Sequence, residues 1–148
     1  MARYSVDGQD TNTAATTILG ITGSAAIRPK IYDMTVGSDA TPADNAAEYV
    51  LQRDTAAGTS TAVTPRPLDP LTSAAVATAG EAHSVEPTYT ADLILLQWAQ
   101  NQRATYRWVA APGGELICTA TAANGIGLQV IGIAGSAVNT NVTFHIEE

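Results

Sequence analysis

The sequence is short of charge and of aromatic residues. Only 14% of its 148 residues are charged and 5% are aromatic, whereas an ordinary soluble domain has about 25% charged residues. Neutral threonine, alanine, serine and asparagine take the place of charge, and a surface made of them is easily desolvated. The composition therefore favours a protein that spends its life packed against neighbours.

Cysteine and lysine are each present once. Cys118 stands alone, which excludes an intrachain disulfide and any metal site built from paired cysteines. We predict that Cys118 is a small buried hydrophobic residue and not a nucleophile. Lys30 is the only lysine, and the arginines are dispersed, so no linear basic patch forms. With 14 acidic residues against 7 basic ones, the net charge of -7 repels polyanions, and we expect no nucleic acid partner.

Long apolar runs are also missing. The longest runs, such as Leu93 to Leu96, are far too short to span a bilayer, and the first ten residues contain no apolar signal region. We therefore expect a soluble, unprocessed protein with no membrane partner.

The chain does contain short β-rich runs, which alternate with glycine, proline, asparagine and aspartate. No helical periodicity of 3.6 residues persists, and the spacing of the runs suggests a sandwich or a barrel; we predict an all-β, antiparallel β-sandwich. A chain of this length can bury one core, and we expect a single domain over residues 1–148. In the N-terminal half the predicted strands are Tyr4–Val6, Thr17–Ile21, Ile27–Val36 and Glu48–Arg53. Pro29 is expected to mark an edge strand or a bulge.

The C-terminal half carries the clearest strand signals. Ala104–Ala111 and Glu115–Ala122 flank Pro112-Gly113-Gly114, which predicts a hairpin in which Tyr106, Trp108 and Ala110 share a face. Asn124-Gly125 is typical of a type I′ hairpin turn with positive φ. In the last predicted strand, Asn141–Glu147, the inward residues are Val142, Phe144 and Ile146.

Gly127–Ala134 follows the Asn-Gly pair and is apolar on both faces. Such a strand needs cover on both sides, either from a second sheet or from another subunit. Asp92–Gln102 is ambiguous, since its length suits a short helix and its apolar cluster suits a buried strand; we predict a strand.

Two segments lack a core-forming pattern. Residues 1–15 are expected to form an N-terminal arm, and residues 55–90 an extended loop that contains four of the seven prolines, namely Pro65, Pro67, Pro70 and Pro87. Because an extended segment without its own core is most easily ordered by a partner, we expect both to make intermolecular contacts.

No residue pattern indicates catalysis, a cofactor or a metal. His83 and His145 have no second ligand at a useful spacing and are expected to be solvated or interface residues. Asp7, Asp10 and Asn12 lack the spacing of a calcium loop and are expected to form a plain turn.

Other candidate sites are equally weak. Gly20 and Gly23 lack the remaining residues of a phosphate-binding motif. No pair of acidic residues is singled out for glycoside hydrolysis. Trp98, Tyr106 and Trp108 are expected to be core aromatics, although aromatic faces of this kind also stack on sugars.

Several phrases resemble small structural proteins from the head modules of tailed bacteriophages, of the decoration or cement type. The phrases are TPRPLDP (Thr64–Pro70), EPTYTADLILL (Glu86–Leu96), NQRATYRWVAAPGGELI (Asn101–Ile117) and ANGIGL (Ala123–Leu128). The resemblance implies a β-sandwich or jelly-roll-like subunit, often a trimer, which is made in the host cytoplasm and sits on the outer capsid surface. It also implies that the subunit binds the major capsid protein and braces the shell against internal DNA pressure. It implies no catalytic residue and no cofactor.

On this basis we predict two contact regions and no enzymatic activity. The predicted interface residues are Met1, Ala2, Arg3, Tyr4, Pro65, Arg66, Pro67 and Pro70 for the capsid, and Leu128, Val130, Ile131 and Ile133 for self-association. The alternatives are another phage particle component (a head fibre base, a minor capsid protein or a tail protein), a carbohydrate-binding module resting on Trp98 and Trp108, and an unrecognised enzyme.

Overall fold

A computed structural model describes residues 1–12, 15–133, 135 and 137–148. The strands are β1 (Arg3–Asn12), β2 (Thr16–Thr22), β3 (Lys30–Ser38), β4 (Ala46–Ala56), β5 (Thr59–Val63), β6 (Arg66–Pro67), β7 (Thr78–Val85), β8 (Thr88–Asn101), β9 (Tyr106–Val109), β10 (Leu116–Ile117), β11 (Gly125–Ile133) and β12 (Val138–Glu147). In the described part of the chain there is no helix, and hence none long and apolar enough to cross a membrane. The prediction of an all-β protein is confirmed.

The strands form two six-stranded antiparallel sheets. In the first sheet the order is β10-β3-β12-β1-β6, with β9 also paired to β3, and in the second it is β5-β7-β2-β11-β4-β8. The chain passes from one sheet to the other at almost every step between β1 and β4 and between β8 and β12. Apolar residues from the inner faces of both sheets meet in one buried cluster, as expected for a sandwich.

β12 lies in the centre of the first sheet, and its residues alternate strictly between buried and outward-facing positions. Val142, Phe144 and Ile146 are buried in the core, while Thr143 and His145 face outward, which confirms their predicted orientation. On one side β12 pairs with β1 along the whole length of both strands, and on the other side it pairs with β3.

The N-terminal arm predicted over residues 1–15 is instead strand β1, whose residues 3–12 all pair with β12. Tyr4 and Val6 are buried in the core, and Gly8 packs so closely on Leu19 that an added Cβ would clash. Asp7 and Asp10, expected in a turn, therefore also lie in this strand. The prediction was wrong because only two large apolar residues mark the alternation, so the strand signal is short. Residues 13 and 14 of the predicted arm lie outside the described residues.

The extended loop predicted over residues 55–90 is also mostly strand. It contains β5, β6, β7 and the start of β8. β5 and β7 consist largely of threonine, serine, alanine and glycine, and they continue the second sheet beyond β2. At a sheet edge, backbone pairing forms a strand without an apolar side-chain pattern, which explains the error. Only residues 68–77 form a long irregular segment.

β9 and β10 do not form the predicted hairpin, because both pair with β3. β9 lies against residues 33–36 and β10 against residues 30–31, so the two strands follow each other along one edge. The Pro112-Gly113-Gly114 turn is present: Gly113 has a φ of 82° and the Gly114 amide donates to the Ala111 carbonyl at 2.8 Å. Tyr106 and Trp108 share a half-buried face, as predicted. The turn connects two short strands on the same side of β3. Each of them pairs with β3, which is longer, and not with the other.

Asn124-Gly125 is not a type I′ turn. The residue with positive φ is Ala123, at 67°, and Gly125 already belongs to β11. Here the chain crosses from the first sheet to the second, so the strands on either side of the dipeptide are not neighbours. Gly125 is needed for a different reason: an added Cβ would lie less than 3.0 Å from the carbonyl oxygen of Ile21 on the neighbouring strand.

β11 is central in the second sheet but is not apolar on both faces. Ile126, Leu128 and Val130 are fully buried on its core face. Its outer face begins with Gly125 and Gly127, and Tyr89 lies directly over Gly127. Part of the outer face of this strand is therefore covered within the chain itself, while Ile131 stays exposed. The last residue of the predicted run, 134, lies outside the described residues.

β8 confirms the strand prediction for Asp92–Gln102, with the strand ending at Asn101. It forms one edge of the second sheet and pairs with β4. Pro29 does not sit in an edge strand or a bulge. It precedes β3, and its carbonyl accepts the Cys118 amide at 3.0 Å.

Candidate interaction surface

Exposed aliphatic side chains concentrate near the chain termini, at one end of the first sheet. Of the nine large exposed hydrophobic residues among the described positions, four lie here: Met1, Leu68, Leu71 and Val76. Leu71 is 93% exposed and Met1 is 86% exposed. We call these four residues the terminal patch. Grouped exposed apolar residues on a soluble domain mark a contact surface more often than scattered ones do.

Pairing along β1 positions the first part of the terminal patch. β6 adds to the free side of β1, where Arg66 and Pro67 lie opposite Ser5 and Tyr4. The next amide, that of Leu68, donates to the Arg3 carbonyl at 2.9 Å. Leu68 is therefore fixed against the N-terminal strand by main-chain bonds.

The irregular segment over residues 68–77 is held by two side chains near the termini, Tyr4 in β1 and Glu148, which follows β12. The Glu148 carboxylate accepts the Val76 amide at 2.8 Å and the Ala77 amide at 3.0 Å. The Tyr4 hydroxyl donates to the Ser73 carbonyl at 3.1 Å. Burial raises the pKa of Tyr4, and the nearby Glu148 raises it further, so the hydroxyl keeps its proton. These bonds order the segment, and an ordered segment loses less entropy when it binds a partner.

Charged residues lie beside Met1, at one side of the terminal patch. Arg3 lies 3.4 Å from the Glu147 carboxylate, and the Lys30 ammonium lies 3.9 Å from the same side chain. The Arg3 guanidinium also sits 5.1 Å from the centre of the Tyr32 ring. Exposed ion pairs of this kind add little stability. An apolar centre with a polar rim is, however, the usual composition of a protein–protein interface.

We expect Glu148→Ala to loosen the segment over residues 68–77 without unfolding the sandwich. Loss of two charge-assisted hydrogen bonds should speed hydrogen exchange at the Val76 and Ala77 amides by about tenfold or more. Exchange measured by mass spectrometry or NMR checks this, and Glu147→Ala, which removes the adjacent carboxylate, is the control. Unchanged exchange at both amides would show that Glu148 does not hold the segment.

The structure separates the predicted interface residues into two groups. Tyr4, Pro65, Leu128 and Val130 are buried within the chain, so their side chains reach no partner, and we remove them from the contact set. The others are exposed or half-buried: Met1, Ala2, Arg3, Arg66, Pro67 and Pro70 lie at the terminal end of the first sheet, and Ile131 and Ile133 lie on β11.

Sequence reasoning missed Leu68, Leu71 and Val76. Each is an isolated aliphatic residue in a polar, proline-containing stretch, so no periodicity marks it. The only signal was the unusual presence of aliphatic side chains in a segment with no strand pattern.

A polar network crosses the outer face of the first sheet. Asp33 accepts two bonds from the Arg107 guanidinium, at 3.0 and 2.7 Å, and contacts His145 Nδ1 at 3.2 Å. The bonds from Arg107 are the main cause that holds the pKa of Asp33 below its usual value. His145 also stacks on Tyr32, with ring centres 6.0 Å apart. These contacts join β3, β9 and β12, and they place His145 on the outer face as predicted.

The aromatic residues and Cys118 pack within the chain. Trp98 stacks on Tyr49 and on Tyr106, with ring centres 5.4 and 4.5 Å apart. The Trp98 ring therefore contacts other rings of the same chain. This weakens the alternative of a carbohydrate-binding module in which Trp98 stacks on a sugar. Cys118 is fully buried, and burial raises the pKa of its thiol to about 12. The thiol therefore stays protonated, as a buried hydrophobic residue does.

Asp54 is a buried carboxyl group near the outer face of the second sheet. It is 4% exposed, lies opposite Gly125 in the ladder, and accepts a hydrogen bond from the Gly125 amide. Its Oδ1 atom has no hydrogen-bond partner among the described residues. Burial raises the pKa of Asp54 from 3.8 to about 6, although the Gly125 bond opposes the change.

This pKa predicts how stability depends on pH. The folded chain holds the Asp54 proton more tightly than the unfolded chain, so this group lowers the free energy of unfolding as pH rises from about 4 to about 6. We expect Asp54→Asn to remove that loss, making the protein more stable than the parent by about 1–3 kcal/mol at about pH 7.5 and similar at about pH 4.

Chemical denaturation of both proteins at the two pH values checks this prediction. Asp92→Asn, which neutralises an exposed carboxylate of β8, is the control. If the free energy of unfolding depends on pH in the same way for the parent and for Asp54→Asn, the pH dependence does not come from a raised pKa of Asp54.

Comparison of the chain with protein-family models, with curated proteins and with solved structures found no match. Among the described residues, no group of three or more histidine, cysteine, aspartate or glutamate side chains is arranged to hold a metal ion.

Proposed function

We propose that this chain is a structural protein of a tailed-bacteriophage head that binds the outer surface of the major capsid protein shell and stabilises it. Its role in this proposal is mechanical and not enzymatic. The observation that carries the proposal is the terminal patch, four exposed aliphatic residues at one end of the first sheet, three of them on a segment ordered by bonds to both terminal strands.

The strand order supports the finer proposal of a jelly roll. If the edge strands β5, β6 and β7 are set aside, the sheets read β1-β12-β3-β9/β10 and β2-β11-β4-β8. This is the order of an eight-stranded jelly roll, an architecture used by viral capsid and lectin domains. Since a fold hosts many functions, the strand order supports the proposal only together with the surface.

Charge agrees with a location on the outside of the shell. The net charge of -7 disfavours contact with packaged DNA. The low content of charged residues lowers the desolvation penalty of packing against a large protein surface.

The resemblance also leads us to propose a homotrimer. The fold changes the surface assigned to self-association, because Leu128 and Val130 are buried in the core. Among the described residues, the large exposed aliphatic residues on the second sheet are Val85 of β7, Leu93 and Ile94 of β8 and Ile131 of β11. We assign self-association to this sheet and capsid binding to the terminal patch.

The proposal is tested with heads of the encoding phage that were assembled without this chain. Purified protein is added, and the heads are imaged by electron microscopy and heated. We expect new density on the outer surface at regular lattice positions and an increase in the temperature at which the shells open. Absence of added density, or density at the tail vertex only, would overturn the proposal.

A further inference from the structure

A small pocket lies on the outer side of the second sheet, away from the terminal patch. Its volume is about 90 Å³, and its floor is formed by β2 and β7. The polar side chains that line it are Thr22, Asp54, Ser60, Thr78 and His83. It therefore combines one carboxyl group with three hydroxyl groups and an imidazole.

Two turns of the chain fold over the sheet and enclose the pocket. Gly58, with a φ of 71°, approaches the backbone at residues 85–87 so closely that an added Cβ would clash. Pro87 is buried and lines the pocket. The His83 ring lies over Gly20, and its Nε2 atom would be 3.6 Å from an added Cβ, an ordinary contact distance.

The carboxyl group in this pocket lacks a counter-charge. Asp54 is 4% exposed and its Oδ1 atom is unpartnered among the described residues. None of the residues that line the pocket is lysine or arginine. The adjacent Arg53 guanidinium donates to the Ile117 carbonyl. A buried ionised carboxylate is unfavourable unless a donor or a cation satisfies it.

Each of the other titratable groups next to the pocket has a hydrogen-bond partner within the chain. His83 Nδ1 lies 3.1 Å from the Thr17 carbonyl. Glu86 accepts the Thr17 amide at 2.9 Å, and the Tyr89 hydroxyl lies 2.7 Å from the Thr17 hydroxyl. Asp54 is therefore the acidic group that a ligand in the pocket would meet.

We propose that this pocket binds a primary ammonium group, with Asp54 as its counter-charge and the hydroxyl groups of Thr22, Ser60 and Thr78 as hydrogen-bond acceptors. An ammonium group has three donors and no acceptor, which suits one carboxylate among hydroxyls. A pocket of about 90 Å³ admits about three water-sized groups, enough for the ammonium and a short carbon stem.

The same features disfavour other cations. Calcium takes six to eight oxygen ligands, often from several carboxylates, and the pocket has one carboxylate. A guanidinium group is planar and wider, and it pairs best with a carboxylate open to two parallel bonds. In Asp54 the Gly125 amide already bonds to the carboxylate.

The ligand belongs to another molecule. Lys30, the only lysine of the chain, lies beside Glu147 on the first sheet. The same ammonium chemistry is offered by a free small amine and by a lysine side chain of a neighbouring protein.

The test is an NMR titration of the Asp54 side-chain carboxyl carbon against pH. It is run in methylammonium chloride and, at equal ionic strength, in tetramethylammonium chloride, which has no N–H donor. Because an ammonium ion binds the ionised carboxylate, the Asp54 midpoint should fall by about one pH unit when methylammonium is at ten times its dissociation constant. The midpoint should fall by about one further pH unit for each further tenfold rise in methylammonium concentration, and tetramethylammonium should not cause this fall. Equal midpoints in both salts would overturn the proposal.

Two variants make the test specific to the pocket. Thr78→Val should weaken the methylammonium effect while the Asp54 signal stays observable, and Asp92→Asn should leave it unchanged. If Thr78→Val responds like the parent, the hydroxyl groups do not form the site. Asp54→Asn should abolish methylammonium-dependent shifts of the Thr22 and Thr78 amide signals.

A last pair of ligands identifies the source of the ammonium group. Binding of N-acetyl-lysine amide, but not of its side-chain-acetylated form, would identify a lysine side chain as the ligand. Binding of methylammonium alone would restrict the site to small free amines, and binding of neither would overturn the proposal. Head binding through the terminal patch is independent of all these outcomes.

Discussion

Gly125→Val should destabilise the fold by about 3 kcal/mol or more, a large part of the 5–15 kcal/mol that keeps a typical domain folded. Gly125 lies in the ladder between β2 and β4, opposite Thr22 and Asp54. An added Cβ would lie less than 3.0 Å from the Ile21 carbonyl oxygen, which is backbone and cannot move aside. The strands would have to separate at the centre of the second sheet. The midpoint of urea denaturation measures the effect.

Gly132→Ala on the same strand is the matched control. There an added Cβ would meet its nearest neighbour, the Glu48 side chain, at 3.7 Å, an ordinary contact distance. Its effect should stay within about 1 kcal/mol of the parent, since alanine is also favoured over glycine in a strand. Equal denaturation midpoints for Gly125→Val and Gly132→Ala would show that close approach at Gly125 is not what the fold requires.

The second large effect concerns the proposed attachment to a phage head. The double variant Leu71→Ser, Val76→Ser should bind heads at least about tenfold more weakly than the parent. Each side chain contributes about 1.5–3 kcal/mol when it passes from water into an interface, and about 1.4 kcal/mol corresponds to a factor of ten. Both residues are exposed in the free chain, so the sandwich should fold normally, which circular dichroism verifies. Binding isotherms from sedimentation give the affinity.

The control for this variant removes an exposed apolar side chain elsewhere. Val109→Ser changes an exposed residue on β9, outside both surfaces to which we assign contacts, and should bind heads like the parent. If Val109→Ser loses head binding and the Leu71, Val76 variant keeps it, attachment does not run through the terminal patch. Deletion of residues 1–4 does not test attachment, because Tyr4 belongs to the core and its loss would disturb the fold itself.

The sequence predicted those strands whose core faces carry large apolar residues. β2, β3, β4 and β12 each present several of these at alternating positions, and their inner faces are buried in the common core. β1 was recognised over only three residues because Gly8 continues the inward face after Val6 without a side chain. β5 lies at the edge of the second sheet and β7 lies next to it, and in both strands backbone pairing determines the structure while side chains leave little signal.

Of the two turn signals, only Pro112-Gly113-Gly114 gave correct local information, and neither identified the strand partners. Pro112-Gly113-Gly114 turns as expected, yet the strands around it pair with β3. Asn124-Gly125 marks the end of a connection between sheets, and glycine is required there by the neighbouring Ile21 carbonyl. Which strand pairs with which depends on residues distant in the sequence, and a dipeptide carries no information about them.

The surface features were the least accessible to prediction. Leu68 and Val76 are brought to the same end of the first sheet as Met1 only through the contacts of Arg3 and Glu148. Asp54 follows Arg53 at the polar end of β4, and in sequence this pair resembles an ordinary exposed strand end. Its burial depends on two turns that fold over it from residues 57–60 and 85–89.

The most direct test of the proposed head binding is co-sedimentation of the purified chain with two preparations of heads from the phage that, in this proposal, encodes it. One preparation lacks the chain and the other already carries it. We predict that the chain sediments with the first in a fixed, saturable ratio to the major capsid protein, and that it does not sediment with the second. Failure to sediment with the heads that lack it, or equal binding to both preparations, would contradict the proposed function.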